Sequence, residues 1–93
     1  MNYELRPELQ KILAKLKKKD KEAFDHVLQK IEEIVNTDPE HYKNLRYDLK
    51  HIKRVHIKKS FVLVFSYKKE ERSISFLDYN HHDNIYKKRY AFD

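Results

Sequence analysis

Cysteine, glycine and tryptophan are all absent from the 93 residues, and proline occurs only twice. Without cysteine there are no disulfides and no thiolate–metal sites. Without glycine there is no phosphate-cradling loop of the Walker or dinucleotide type, because those loops need glycine backbone. Two-residue hairpins of the Asn-Gly kind are excluded on the same ground. No apolar run approaches the roughly 18–20 residues of a membrane helix. The opening "MNYELRPELQ" has no signal-peptide core. These absences lead us to expect a soluble, cytoplasmic protein with no membrane partner.

What is present fits one small domain spanning residues 1–93. A chain of this length buries only roughly 60–65% of its unfolded surface. Its hydrophobic fraction of 40% and mean hydropathy of −0.96 lie on the polar side of globular. The apolar residues nevertheless fall in periodic groups, which argues against disorder. Net charge is +6 and unevenly spread. Residues 1–50 hold 11 Lys/Arg against 10 Asp/Glu, whereas residues 51–93 hold 10 against 5. A basic C-terminal half suits a polyanion, nucleic acid first of all. A solvated lysine surface accounts for the same balance.

Along the chain, Asn2 to Arg6 reads as a short strand. From Pro7, suited to a first helical position, Leu9, Ile12, Leu13 and Leu16 follow helical spacing. The run "KLKKKD" breaks that stripe, and Asp20 can cap a second helix. In it Phe24, Val27, Leu28, Ile31, Ile34 and Val35 share one face until "NTDPE". The result is a helical hairpin. A connector, "HYKNLRYDLK", offers Tyr42, Leu45, Tyr47 and Leu49 to the core. After Lys50 the period changes to two. "IKRVHIK" alternates, "SFVLVFSY" reads as a central strand, "KKEER" as a charged hairpin loop and "SISFLDY" as the next strand. Helices gathered on one face of a small antiparallel sheet give an α+β class.

Three features of the basic half can carry chemistry. Arg54, His56 and Lys58, spaced by two, stand about 6.5–7 Å apart on one face of a strand, close to the phosphate repeat of a single nucleic-acid strand. A half-buried strand with a solvated basic face looks identical. The second feature is "HHDNIY". Adjacent residues of an extended chain point to opposite faces, so His81 and His82 are not expected to serve one site equally. No further ligands stand at a metal-site spacing, so no metal is expected. A helix start capped by Asp83 explains the stretch equally well. On the functional side, histidine has an unperturbed pKa of about 6.5, suited to proton transfer near neutrality. The third feature is tyrosine, present seven times. Tyr86, close to both histidines and next to "KKR", is placed to stack on an unpaired base.

The segment Leu49 to Tyr67, with its pattern Leu-Lys-x-x-x-Arg-Val-His-Ile followed by Leu-Val-Phe, and the closing His-His-Asp-x-x-Tyr resemble one known group. It is the RelE/ParE superfamily of toxins from prokaryotic toxin–antitoxin pairs, and within it the RelE-type mRNA interferases. The resemblance covers essentially the whole chain and implies a RelE-like fold. It also implies a toxin that cleaves mRNA in the ribosomal A site and a cognate RelB-like antitoxin that wraps the toxin in a hetero-oligomer. The family's basic pair falls on Arg54 and His56, where lysines are common in relatives. Its acid/base position falls on His81 or His82, with His82 favoured, and its C-terminal tyrosine on Tyr86. Lys53, Lys58, Lys59, Lys87 and Lys88 would hold RNA phosphates. One departure stands out: many relatives carry an arginine in the middle strand where this chain has Val62.

The implied chemistry is RNA cleavage by transesterification, independent of metal or other cofactor, with Arg54, His56, His82 and Tyr86 as the catalytic set. A different class of function on the same fold is a non-enzymatic one. It would be a ParE-like gyrase poison, or an inactive relative kept for antitoxin binding. A generic RNA-binding domain is a third reading.

Overall fold

The computed structural model describes residues 1–46 and 51–87. The elements are β1 (Asn2–Leu5), α1 (Pro7–Lys19), α2 (Lys21–Val35), a 3-10 turn (Pro39–His41), β2 (Ile52–Ile57), β3 (Phe61–Lys68), β4 (Ser73–His81) and α3 (His82–Ile85). The expected helical hairpin, meander and first strand are all present. The four strands run in the order β1-β4-β3-β2. The meander is antiparallel, but β1 pairs parallel to β4, so the sheet is mixed. That follows from connectivity: a strand returning after two helices is free to lie parallel to a distant partner, whereas a hairpin cannot.

The lysine run that ends the apolar stripe forms the last turn of α1, where cations meet the negative end of the helix dipole. Asp20 alone joins the two helices. It ends α1, and its carboxylate accepts the Ala23 N–H at 3.1 Å to cap α2. The apolar faces of α1 and α2 close over one side of the sheet. Leu9, Leu13, Val27, Ile31 and Ile34 meet Leu63, Phe65, Tyr67, Ile74 and Phe76 there.

A second, smaller cluster lies on the opposite side, where Leu45, Ile52, Val62 and Val64 gather around Ile85 of α3. The connector links the two sides. Tyr42 packs edge-on against Phe65 at 5.7 Å in the main core, while Leu45 belongs to the second cluster. Between them the chain rounds the outer edge of β2. There the Arg54 N–H donates to the Lys43 carbonyl at 2.9 Å, and the Leu45 N–H to Ile52 at 2.8 Å. Tyr47 and Leu49, expected to dock as well, lie outside the described residues.

Without glycine, the turns place other residues at positive φ: Lys58 at 63° and Arg72 at 51°. Among the described residues no helix is long and apolar enough to cross a membrane.

Candidate functional site

On the face of the sheet away from the hairpin, two cross-strand rows lie side by side. One runs Arg54–Val64–Asp78 and the other His56–Val62–Asn80. Each spans three strands, roughly 10 Å from first to last residue. The rows exist because of a bulge. Phe65 pairs with Phe76 but Val64 pairs with Asp78, leaving Leu77 as the extra residue of β4. An extra residue reverses the side-chain parity beyond it. Strict alternation would put Asp78 and Asn80 with Phe76 under the helices. The bulge turns them to the other face and sends Tyr79 into the main core instead.

Arg54 is half-buried, and its Nε is shielded from water with no hydrogen-bond partner among the described residues. A guanidinium N–H in that condition is a ready donor for an anion. His56, the next residue on this face, is exposed. Nothing in the sequence pattern singles out Asp78, yet it is 1% exposed, and its carboxylate accepts the Tyr79 N–H at 2.9 Å. An aspartate between Leu77 and Tyr79 is a signal only once the bulge is known.

At the end of β4 the chain turns at once into α3. Asn80 stiffens the turn: its Oδ1 accepts the His81 N–H at 2.7 Å and the Asn84 Nδ2 at 3.1 Å. The helix start expected here is present, but its cap is His81 rather than Asp83. The His81 Nδ1 accepts the Asp83 N–H at 3.2 Å. The His82 N–H donates to the Ser60 carbonyl at 2.8 Å, fixing the helix start against the β2–β3 turn. That turn presents the exposed Lys58 and Lys59. Tyr86, exposed, follows α3 directly, and its N–H donates to the His82 carbonyl at 3.2 Å.

The two histidines do not point apart as an extended chain requires. Because the strand ends at His81 and the helix begins at His82, their rings lie 4.5 Å apart between centroids at 31°. His81 also meets the Phe61 ring edge-on at 5.7 Å. The His82 Nδ1 lies 2.9 Å from an Asp83 carboxylate oxygen.

Comparison with known proteins shows the family. A Methanocaldococcus jannaschii protein named "Putative toxin RelE4" is 53% identical over 89 residues, covering 96% of this chain and 94% of the relative. An uncharacterized protein of Methanosarcina mazei is 49% identical over 82 residues, covering 88% and 94%. The chain belongs to the RelE toxin family. No family model matches it, and no solved structure gives a significant match.

In this RelE-type chain the residues singled out by sequence do not all come together. Arg54 and His56 share the face opposite the hairpin, and α3 lies on that face through Ile85, carrying His82 and Tyr86 with it. Lys58, Lys59 and Lys87 are exposed around them, although Lys58 stands in the turn and not in the strand row. Lys53 is buried on the other face, in line with Val55 and Ile57, and is not brought to the cluster. Lys88 lies outside the described residues. Val62, where an arginine is common in relatives, is wholly buried at the centre of the face beneath Ile85.

A cleft of about 290 Å³ adjoins the cluster, lined by His26, Gln29, Lys30 and Glu33 of α2 and by His56, Ile57 and Lys58. Sequence reasoning missed it because α2's polar face reads as a solvated surface. Only the fold brings His26 near His56.

Proposed function

We propose that this chain is the toxin of a toxin–antitoxin pair and cuts mRNA on the ribosome by acid–base transesterification. The observation that supports it best is His82. It is a half-exposed imidazole fixed at the start of α3 against a turn bearing two exposed lysines, on the side of the sheet that carries Arg54, whose Nε has no partner among the described residues. In the reaction a base takes the proton from a ribose 2′-OH. The oxygen attacks the adjacent phosphorus, the P–O5′ bond breaks, and an acid protonates the departing 5′-oxygen. His56 and His82 are the proton-transfer pair. Arg54, with Lys58 and Lys59, holds the charge that builds on the phosphorane oxygens. Tyr86 stacks on or orients a base.

The site is an open, basic sheet face with a shallow flanking cleft. A surface of that shape does not align RNA alone, which fits a substrate presented by the ribosome. The toxin would be held in check by a cognate RelB-like antitoxin covering the same face.

A second reading on the same fold is a non-enzymatic toxin, such as a gyrase poison. The apolar Val62 at the centre of the face favours it, since the phosphate clamp is one cation short there. Mapping cut sites on translated mRNA separates the two. The nuclease reading expects cleavage to fall about 10²–10⁴-fold in His82→Ala, with no such loss in Lys17→Ala. Growth arrest with intact mRNA in both wild type and His82→Ala would overturn it.

A further inference from the structure

The strand-to-helix turn at residues 81–83 gathers a set of donors that an extended chain would scatter. His81, His82 and Asp83 each offer one ligand atom, and these atoms all lie within 4.8 Å of one another. Asp83 reaches both rings: one oxygen is 2.9 Å from the His82 Nδ1 and the other 3.7 Å from the His81 Nδ1. Zinc binds imidazole nitrogen and carboxylate oxygen at about 2.0–2.2 Å, so neighbouring ligands of a tetrahedral ion stand about 3.4 Å apart. The two observed separations, each to a different carboxylate oxygen, straddle that value, and the set with one atom per residue spans no more than 4.8 Å. Small rotations of side chains that are 38%, 41% and 65% exposed would close the set.

The rest of the surroundings favour capture of an ion. Phe61 holds the His81 ring from its edge, and Ser60 holds the His82 backbone, so much of the ordering is complete before an ion arrives. Three protein ligands on an open surface leave a fourth position for water, as in other three-ligand zinc sites. Two imidazoles with one carboxylate select zinc, copper or nickel over magnesium and calcium, which prefer oxygen. Binding through the His81 Nδ1 would displace its bond from the Asp83 N–H, and the ion would then tie His81 to Asp83 in its place.

We propose that His81, His82 and Asp83 form a binding site for one divalent transition-metal ion, and that occupation of this site arrests RNA cleavage. The second clause rests on the ribonuclease reading. A nitrogen of His82 bonded to the metal has no lone pair left to take the proton that transesterification requires.

The binding claim is tested without any activity measurement. Zinc chloride is titrated into the purified chain, free of any histidine tag, by isothermal calorimetry. One equivalent should bind in the micromolar range. His81→Gln and Asp83→Asn should each weaken binding at least ~10-fold, the lower bound for losing even an outer partner of a ligand. His26→Gln should leave it unchanged. All three are substitutions of side chains outside the core, and circular dichroism confirms that each variant is folded. Equal affinity in wild type, His81→Gln and Asp83→Asn overturns the site, as does loss of binding in His26→Gln alone. In the cleavage assay, zinc at saturating occupancy should abolish cutting by the wild type, EDTA should restore it, and magnesium at equal concentration should do nothing. Zinc binding with undiminished cleavage overturns the switch. A chain that never cuts RNA overturns the ribonuclease reading and with it the switch, while the calorimetry still decides the site.

Discussion

The backbone N–H of His82 donates to the carbonyl of Ser60 across 2.8 Å. This bond joins the first residue of α3 to the turn between β2 and β3, so the histidine and the turn lysines move as one unit. A helix of four residues has no stability of its own. It persists because Ile85, wholly buried, sits on Val62 and Val64.

Ile85→Ala should therefore loosen the site as well as the fold. Removing a buried isoleucine side chain costs about 2–5 kcal/mol, and the low end applies to a cluster this small. We expect a loss of about 2 kcal/mol in urea denaturation. Cleavage should fall further than in a variant destabilised equally from the other face, such as Val27→Ala. Equal losses in the two would mean that α3 does not position His82.

Arg54 lends itself to a sharper separation of function from stability. Its Nε is shielded from solvent and unpartnered among the described residues, and such a donor costs about 1–3 kcal/mol. Arg54→Ala should slow cleavage by about 100-fold, the scale for removing one donor to a developing oxyanion. Thermal stability should hold or rise. A variant that loses activity and stability together would show the guanidinium to be a structural prop.

Much of this was readable from spacing. The helical faces of α1 and α2, the change of period after residue 50 and the basic alternation of Arg54 and His56 all follow from which residues water rejects. Two things were not. The bulge at Leu77 changes which face Asp78 and Asn80 occupy, and alternation carries no mark of it. The paired rings of His81 and His82 depend on a strand ending between adjacent residues, a boundary that local pattern places only to within a few positions. Lys53 was legible: the same alternation that faces Arg54 and His56 outward puts it with Val55 and Ile57 on the helix-covered face, away from the basic cluster.

The loop closing the β3–β4 hairpin carries a penalty that glycine would remove. Arg72 sits at φ 51°, in the left-handed region that a Cβ disfavours. Glycine gains there what it loses in unfolded-chain entropy and somewhat more. Arg72→Gly should raise stability by roughly 0.5–1 kcal/mol in chemical denaturation. Its site is remote from α3, so cleavage should be unchanged. A destabilised variant would show that the arginine side chain contributes more than its backbone conformation costs.

Tyr79 gives the fold a definite limit at alkaline pH. The bulge sends it into the main core, where it is 7% exposed and stacked on Phe61 at 5.2 Å. Burial, and then the negative charge of Asp20, push its phenol above the ordinary value of 10.0. The folded chain thus holds that proton more tightly than the unfolded chain does. The stability linked to it is fully present below pH 10.0 and is lost as pH rises through the higher folded value. The lysines and other tyrosines titrate in the same region, so the informative quantity is a difference between variants. Melting temperature should fall more steeply above pH 10 in the wild type than in Tyr79→Phe. Asp20→Asn keeps an α2 cap while removing the charge, and should fall between the two. Parallel curves for all three would mean that the phenol ionises as readily in the folded chain as in the unfolded one.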